Sequence, residues 1–145
     1  SFRIDAALGM VNELQCGSYI FMDADYDRIR EADGSRPGGM ENALFVLAGI
    51  MSAPVPGRAV CDAGLKAIAF DSGPPRIDRP GLRYTQASDE HGVIDDPDGQ
   101  LKRGDTVRLV PGHCDPTCNL YDWLVGVRGN RVETLWPVTA RGKLY

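Results

Sequence analysis

Histidine and lysine are scarce in this chain, with two and three copies in 145 residues, and every one of them can be weighed individually for chemistry. Sixteen basic residues face twenty acidic ones, for a net charge of -4, and the basic residues are scattered. No stripe suited to a phosphate backbone is present, which excludes nucleic acid as the expected partner. Long apolar runs are lacking too. The longest, Ala43 to Met51, is broken by Gly49 and has the length of a strand, too short to cross a bilayer, so no membrane partner is expected. The start, Ser1-Phe2-Arg3-Ile4-Asp5, has neither an initiator methionine nor the regions of a signal peptide. It reads as a segment of a longer polypeptide. The four cysteines, at positions 16, 61, 114 and 118, carry no sign of secretion, and a reduced cytoplasmic setting is expected.

What the chain has in quantity is glycine and proline, 17 and 10 residues, which cut it into short apolar stretches. That punctuation, with little helical periodicity, predicts a mainly β domain, a meander or barrel. Strands are predicted at 11–14, 18–22, 44–51, 58–62, 82–86, 106–109, 123–128 and 131–136. The last two flank Gly129-Asn130, a pair suited to the positive φ angles of a tight hairpin turn. The stretches Arg30 to Met40 and Asp95 to Gly99 are polar and rich in turn formers, and read as loops.

Both histidines lie in polar, glycine-flanked contexts, Asp89-Glu90-His91-Gly92 and Pro111-Gly112-His113-Cys114-Asp115. If His113-x-Asp115 is extended, strand alternation puts the imidazole and the carboxylate on one face and Cys114 on the other. One nitrogen and one hard oxygen suit magnesium, manganese or cobalt, with water or substrate completing the shell. The plainer alternative is a His-Asp pair fastening a loop before Pro116. Cys114 and Cys118 beside His113 invite a zinc reading, but the usual Cys-x-x-Cys spacing and a second pair are missing.

Several blocks in order carry a family resemblance: Asn12 to Tyr19, Phe21 to Tyr26, Asp89 to Val93, His113 to Asn119 and Glu133 to Pro137. Over essentially its whole length the chain resembles the C-terminal portion of the D-threonine aldolase and D-serine dehydratase-like enzymes. The resemblance implies a fold type III pyridoxal-phosphate enzyme, an alanine racemase-type (β/α)8 barrel followed by a β-barrel-like domain. Such a barrel takes about 250 residues, more than this chain, so residues 1–30 are expected to be its last part and 31–145 the β-rich metal-binding domain. The lysine that carries the cofactor is then expected outside this chain. Lys66, in Asp62-Ala63-Gly64-Leu65-Lys66, is read as a solvated lysine beside a turn, and Lys102 and Lys143 as surface charges.

With that resemblance in place, Gly17 and Ser18 are the expected phosphate contacts. Glycine lets backbone approach an anion, and Ser18 offers an N–H and a hydroxyl. Tyr26 is preferred over Tyr19 as a further cofactor contact, the plain alternative being a strand-entry glycine and two packing tyrosines. His113 and Asp115 become the metal pair. Asp89, Glu90 and His91 are candidates to position substrate or support the metal shell, although a turn held by side-chain hydrogen bonds explains them as well. The implied activity is retro-aldol cleavage of a D-3-hydroxy amino acid, 3-hydroxy-D-aspartate or D-threonine, in a homodimer. A dehydratase of the same architecture is the rival; those enzymes resemble a His-x-Cys pair with zinc, where this chain has Asp115. The third reading is a metal-binding β module without catalysis.

Overall fold

A computed structural model of the chain describes residues 2–143. Its centre is a six-stranded antiparallel sheet made of β1 (Val46–Val55), β2 (Gly57–Cys61), β3 (Arg76–Ile77), β4 (Arg83–Ala87), β5 (Gly92–Asp96) and β6 (Thr106–Val110). The order is β3-β6-β1-β2-β5-β4, and the two edge strands β3 and β4 touch, so the sheet curls into a nearly closed barrel. Alternation builds the interior: Val46, Ala48 and Ile50 of β1 are buried while Leu47 and Met51 are exposed. Ala59 and Cys61, Ile94, and Val107 and Leu109 close the same core from β2, β5 and β6. Burying a valine, isoleucine or leucine side chain stabilises by about 1.5–3 kcal/mol. The barrel therefore carries its own core.

Beyond the barrel, β7 (Trp123–Arg128) and β8 (Arg131–Pro137) form a separate two-stranded hairpin, turning at Gly129 with φ +58°. Two short helices complete the described chain, α1 (Phe2–Leu8) and α2 (Cys114–Cys118). The predicted strands at 44–51, 58–62, 82–86, 106–109, 123–128 and 131–136 are present with small shifts at their ends. Strands β3 and β5 were not predicted. The carboxylates of β5 concealed it: Asp95 pairs with Arg83 across the strands, and buried Asp96 accepts N–H bonds from Gln100 and Leu101 at 2.8 and 2.9 Å.

The strands predicted at 11–14 and 18–22 are absent. Residues 18–20 form a 3-10 turn, and no described strand lies beside either stretch. Gly17 (φ -84°, ψ -93°) and Met22 (φ +51°) turn the backbone off an extended path at both ends of the second stretch. This N-terminal segment nevertheless docks on the barrel. Asp27, on the 3-10 turn Tyr26–Arg28, meets Arg76 of β3 at 2.9 Å, and Arg76 also donates to Asn42 Oδ1 at 2.7 Å.

Candidate functional site

His113 ends an extended run (φ -141°, ψ 123°), and α2 begins at the next residue. The expectation that His113 to Asp115 is extended throughout is therefore corrected: Asp115 sits in the first helical turn, and the two side chains do not share a strand face. The local sequence explains this. Asp115 near a helix N-terminus complements the free N–H groups, and Pro116 is tolerated in a first turn, where a missing N–H costs nothing. His113 supplies no side-chain cap. The cap comes from far away in sequence, because the buried carboxylate of Asp23 accepts the Cys114 N–H at 3.0 Å through Oδ2 and the Tyr26 N–H at 2.9 Å through Oδ1.

Asp23 thereby clamps two of the predicted site segments together. Backbone bonds strengthen the clamp: Ala24 N–H donates to Pro111 O at 2.8 Å and Asp25 N–H to Gly112 O at 3.2 Å. Ser18 opens the 3-10 turn Ser18–Ile20, whose first N–H groups have no partner within the turn. Tyr26 is exposed, with no partner for its phenol among the described residues. Open space surrounds Gly17. Gly17, Ser18 and Tyr26 thus lie on one segment packed against the His113 loop, with free donors of the kind an anion requires.

Around His113 the arrangement is tight. Its Nδ1 lies 2.5 Å from Asp71 Oδ2, and that hydrogen bond holds the Asp71 carboxyl below the usual carboxylate range. Its carbonyl accepts the Thr117 hydroxyl at 2.8 Å, and Thr117 Oγ1 in turn accepts the Ala69 N–H at 3.2 Å. Asp71 was missed from sequence. It stands 42 residues away in an ordinary turn context, Asp71-Ser72-Gly73-Pro74, and only the folded chain reveals the pairing. Asp23 and Thr117 fell within the blocks of resemblance but had been given no role.

An imidazole nitrogen and a carboxylate oxygen are donor types that a hard divalent ion takes. Among the described residues the His113 Nε2 and the exposed Asp115 carboxylate make no hydrogen bond or ion pair, and no three His, Cys, Asp or Glu side chains gather in one place. Two protein ligands leave the other positions to water or substrate. Burial pushes the Cys114 and Cys118 thiols up.

The remaining candidates occupy the turn between β4 and β5. Ser88 N–H donates to His91 O at 2.8 Å, and the His91 N–H donates to Ser88 Oγ at 3.3 Å. Asp89 O and Ser88 O receive the N–H groups of Lys66 and Leu65, each at 2.9 Å. A β-carbon on Gly64 would fall 2.3 Å from Ser88 O, so glycine is required where this turn packs. Lys66 Nζ pairs with Glu90 at 2.9 Å on the surface. Among the described residues no hydrogen bond joins Asp89, Glu90 or His91 to His113 or Asp115.

A nearly closed β-barrel, with His113 and Asp115 at the start of α2, defines the class by its fold: the β-rich domain of the alanine racemase-type architecture. The chain belongs to the family whose model is described as "Putative serine dehydratase domain", matched over residues 43–127. It is 58% identical over 148 positions to 3-hydroxy-D-aspartate aldolase of Paracoccus denitrificans, an alignment covering 100% of this chain and 38% of that protein. It is 52% identical to D-threonine aldolase of an Arthrobacter species, again with 38% of the relative covered. The chain thus spans well under half the length of these relatives. The crystal structure of D-threonine aldolase from Filomicrobium marinum superposes with a TM-score of 0.92 at 47% identity, over 100% of this chain and 40% of that one. D-threo-3-hydroxyaspartate dehydratase from Delftia sp. HT23 shares the fold at a TM-score of 0.65 and 22% identity, over 84% of this chain and 38% of that one.

Proposed function

We propose that the protein to which this chain contributes is a pyridoxal-phosphate- and divalent-metal-dependent aldolase of D-3-hydroxy amino acids. It would yield glycine with glyoxylate from 3-hydroxy-D-aspartate, or glycine with acetaldehyde from D-threonine. One observation carries the reading: the segment bearing Gly17, Ser18 and Tyr26 is clamped by Asp23 directly onto the His113 loop. Its similarity to two named aldolases supports the same reaction. A carboxylate at Asp115, in place of a thiolate, favours an oxygen-rich site over a zinc thiolate site.

In this reading Ser18 and Tyr26 hold the cofactor phosphate by N–H and O–H donors, with Gly17 admitting close approach. Bound pyridoxal phosphate supplies the electron sink for Cα–Cβ cleavage. His113 and Asp115 would hold a magnesium, manganese or cobalt ion, which would supply Lewis acidity at the substrate's 3-hydroxyl. Asp89 and His91, on an exposed turn, stand available to contact substrate or the outer side of the metal shell. Residues 1–30 would be the last part of the (β/α)8 barrel, and the lysine that carries the cofactor would belong to the rest of the polypeptide. The exposed apolar face of the hairpin supports assembly as a homodimer, and four unpaired thiols suit a cytoplasmic setting.

The test is aldehyde release by the complete enzyme from both substrates, with and without chelator. Activity is expected to vanish in chelator and return with manganese. His113→Ala and Asp115→Ala are each expected to lower kcat/KM by at least about 100-fold, since removing a ligand should cost no less than removing the group that orients it. Full activity in chelator overturns the metal role, and ammonia release in place of aldehyde makes the enzyme a dehydratase.

A further inference from the structure

We infer that Asp71 is a positioning residue for the metal pair: it holds His113 in the tautomer and orientation that present Nε2 to the ion. The inference rests on the metal reading of His113. An imidazole binds a metal through a nitrogen that carries no proton, and which nitrogen that is depends on the hydrogen bond made by the other. Here Nδ1 lies 2.5 Å from Asp71 Oδ2. A carboxylate accepts, so Nδ1 carries the proton, and the neutral ring, the form that binds a metal, then presents a bare Nε2.

Asp71 is well placed to do this because the segment just before it is anchored to the helix that follows His113. Thr117 Oγ1 accepts the Ala69 N–H at 3.2 Å while donating to His113 O at 2.8 Å, so one buried hydroxyl ties both partners' segments together. Tyr121 Oη donates to Ala67 O at 2.7 Å from just beyond α2. Behind His113, a β-carbon on Gly112 would fall 2.3 Å from Gly73 O, which shows how closely the 71–74 turn and the 111–113 run are packed. Asp71 and His113 are therefore set opposite each other by contacts on both sides of the pair. The Asp71 side chain is half exposed, so this bond matters for geometry more than for folding stability.

Two readouts on the complete enzyme test the inference. In metal-free protein carrying 15N-labelled histidine, the His113 signals, assigned by their loss in His113→Ala, are expected to show a protonated Nδ1 and a bare Nε2. Asp71→Ala is expected to move that pattern towards the other tautomer and to weaken manganese binding by about 10–100-fold, with the pyridoxal absorbance unchanged. Asp71→Asn keeps an oxygen that accepts the Nδ1 proton, so it is expected to retain the tautomer and to lose less affinity. An unchanged tautomer or unchanged manganese affinity in Asp71→Ala overturns the inference. Equal losses in Asp71→Ala and Asp71→Asn, with the tautomer kept in the latter, also overturn it, because they make Asp71 a ligand itself. If His113→Ala binds manganese as tightly as wild type, the metal reading falls and the inference with it; if only the Asp71 variants do so, the metal reading stands alone.

Discussion

Asp23 has no accessible surface, and both its oxygens are committed to backbone N–H groups, of Tyr26 and of Cys114. A carboxylate suits the task because it is an acceptor at every lone pair, whereas an amide would turn its NH2 towards one of the two donors. Removing it strands two donors, each costing about 1–3 kcal/mol if left unsatisfied. Asp23→Ala in the complete enzyme is therefore expected to lower unfolding stability by a few kcal/mol and to weaken both pyridoxal phosphate and manganese binding. Asp23→Asn, which keeps one bond, should fall between the two. Denaturant titration with cofactor and metal titrations checks this, and a variant that loses stability but neither affinity would show that the clamp serves folding alone. His113 stood out in the sequence because the chain has only two histidines, and Asp115 because it follows His113 by two positions. Asp71 and Asp23 did not, because their partners lie 42 and 91 positions away and nothing local marks them.

At the scale of elements, the turn 71–74 and the run 111–113 meet through Gly112, and the approach leaves no room for a side chain. Gly112→Ala has to displace a backbone carbonyl, at a cost of about 1–3 kcal/mol for overpacking of this kind. The displacement falls between His113 and Asp71, so the variant is expected to weaken manganese binding as Asp71→Ala does, although it touches neither side chain. A thermal melt and a manganese titration measure the two effects. Unchanged affinity in a destabilised variant would show that the His113–Asp71 contact tolerates movement of its frame. The same scale shows what alternation can reveal. Barrel strands with one dry and one wet face, such as β1 and β6, were predicted from alternation, although β1 runs four residues past its expected end, and the hairpin was marked by Gly129-Asn130. Stretches 11–14 and 18–22 have strand-like composition but no neighbouring strand, and the backbone at Gly17 and Met22 bends away. Helix α2 was missed because five residues are too few to show a period.

For the whole molecule, the division is between a barrel that satisfies itself and surfaces that do not. The buried core is drawn chiefly from the sheet and the loops that join its strands, whereas the N-terminal segment leaves Ile4, Leu8, Met10 and Val11 exposed. The hairpin adds a face on which Val125 stands opposite Leu135, Val127 opposite Val132 and Trp123 opposite Pro137, with the first five of these residues all more than half exposed. Charged residues are confined to its tip and edges, Arg128, Arg131 and Glu133 among them. In a homodimer with a twofold axis every contact occurs twice. Trp123 and Leu135 would then contribute four side chains, each worth up to about 1.5–3 kcal/mol on full burial. Replacing both with serine is expected to shift the dimer dissociation constant of the complete enzyme by several orders of magnitude. The unfolding of the barrel, whose core contains neither residue, should be unaffected. Light scattering over a concentration series reads the first effect and tryptophan-independent circular dichroism the second. A dimer that persists unchanged would place the subunit interface elsewhere and leave this face to the remainder of the same polypeptide.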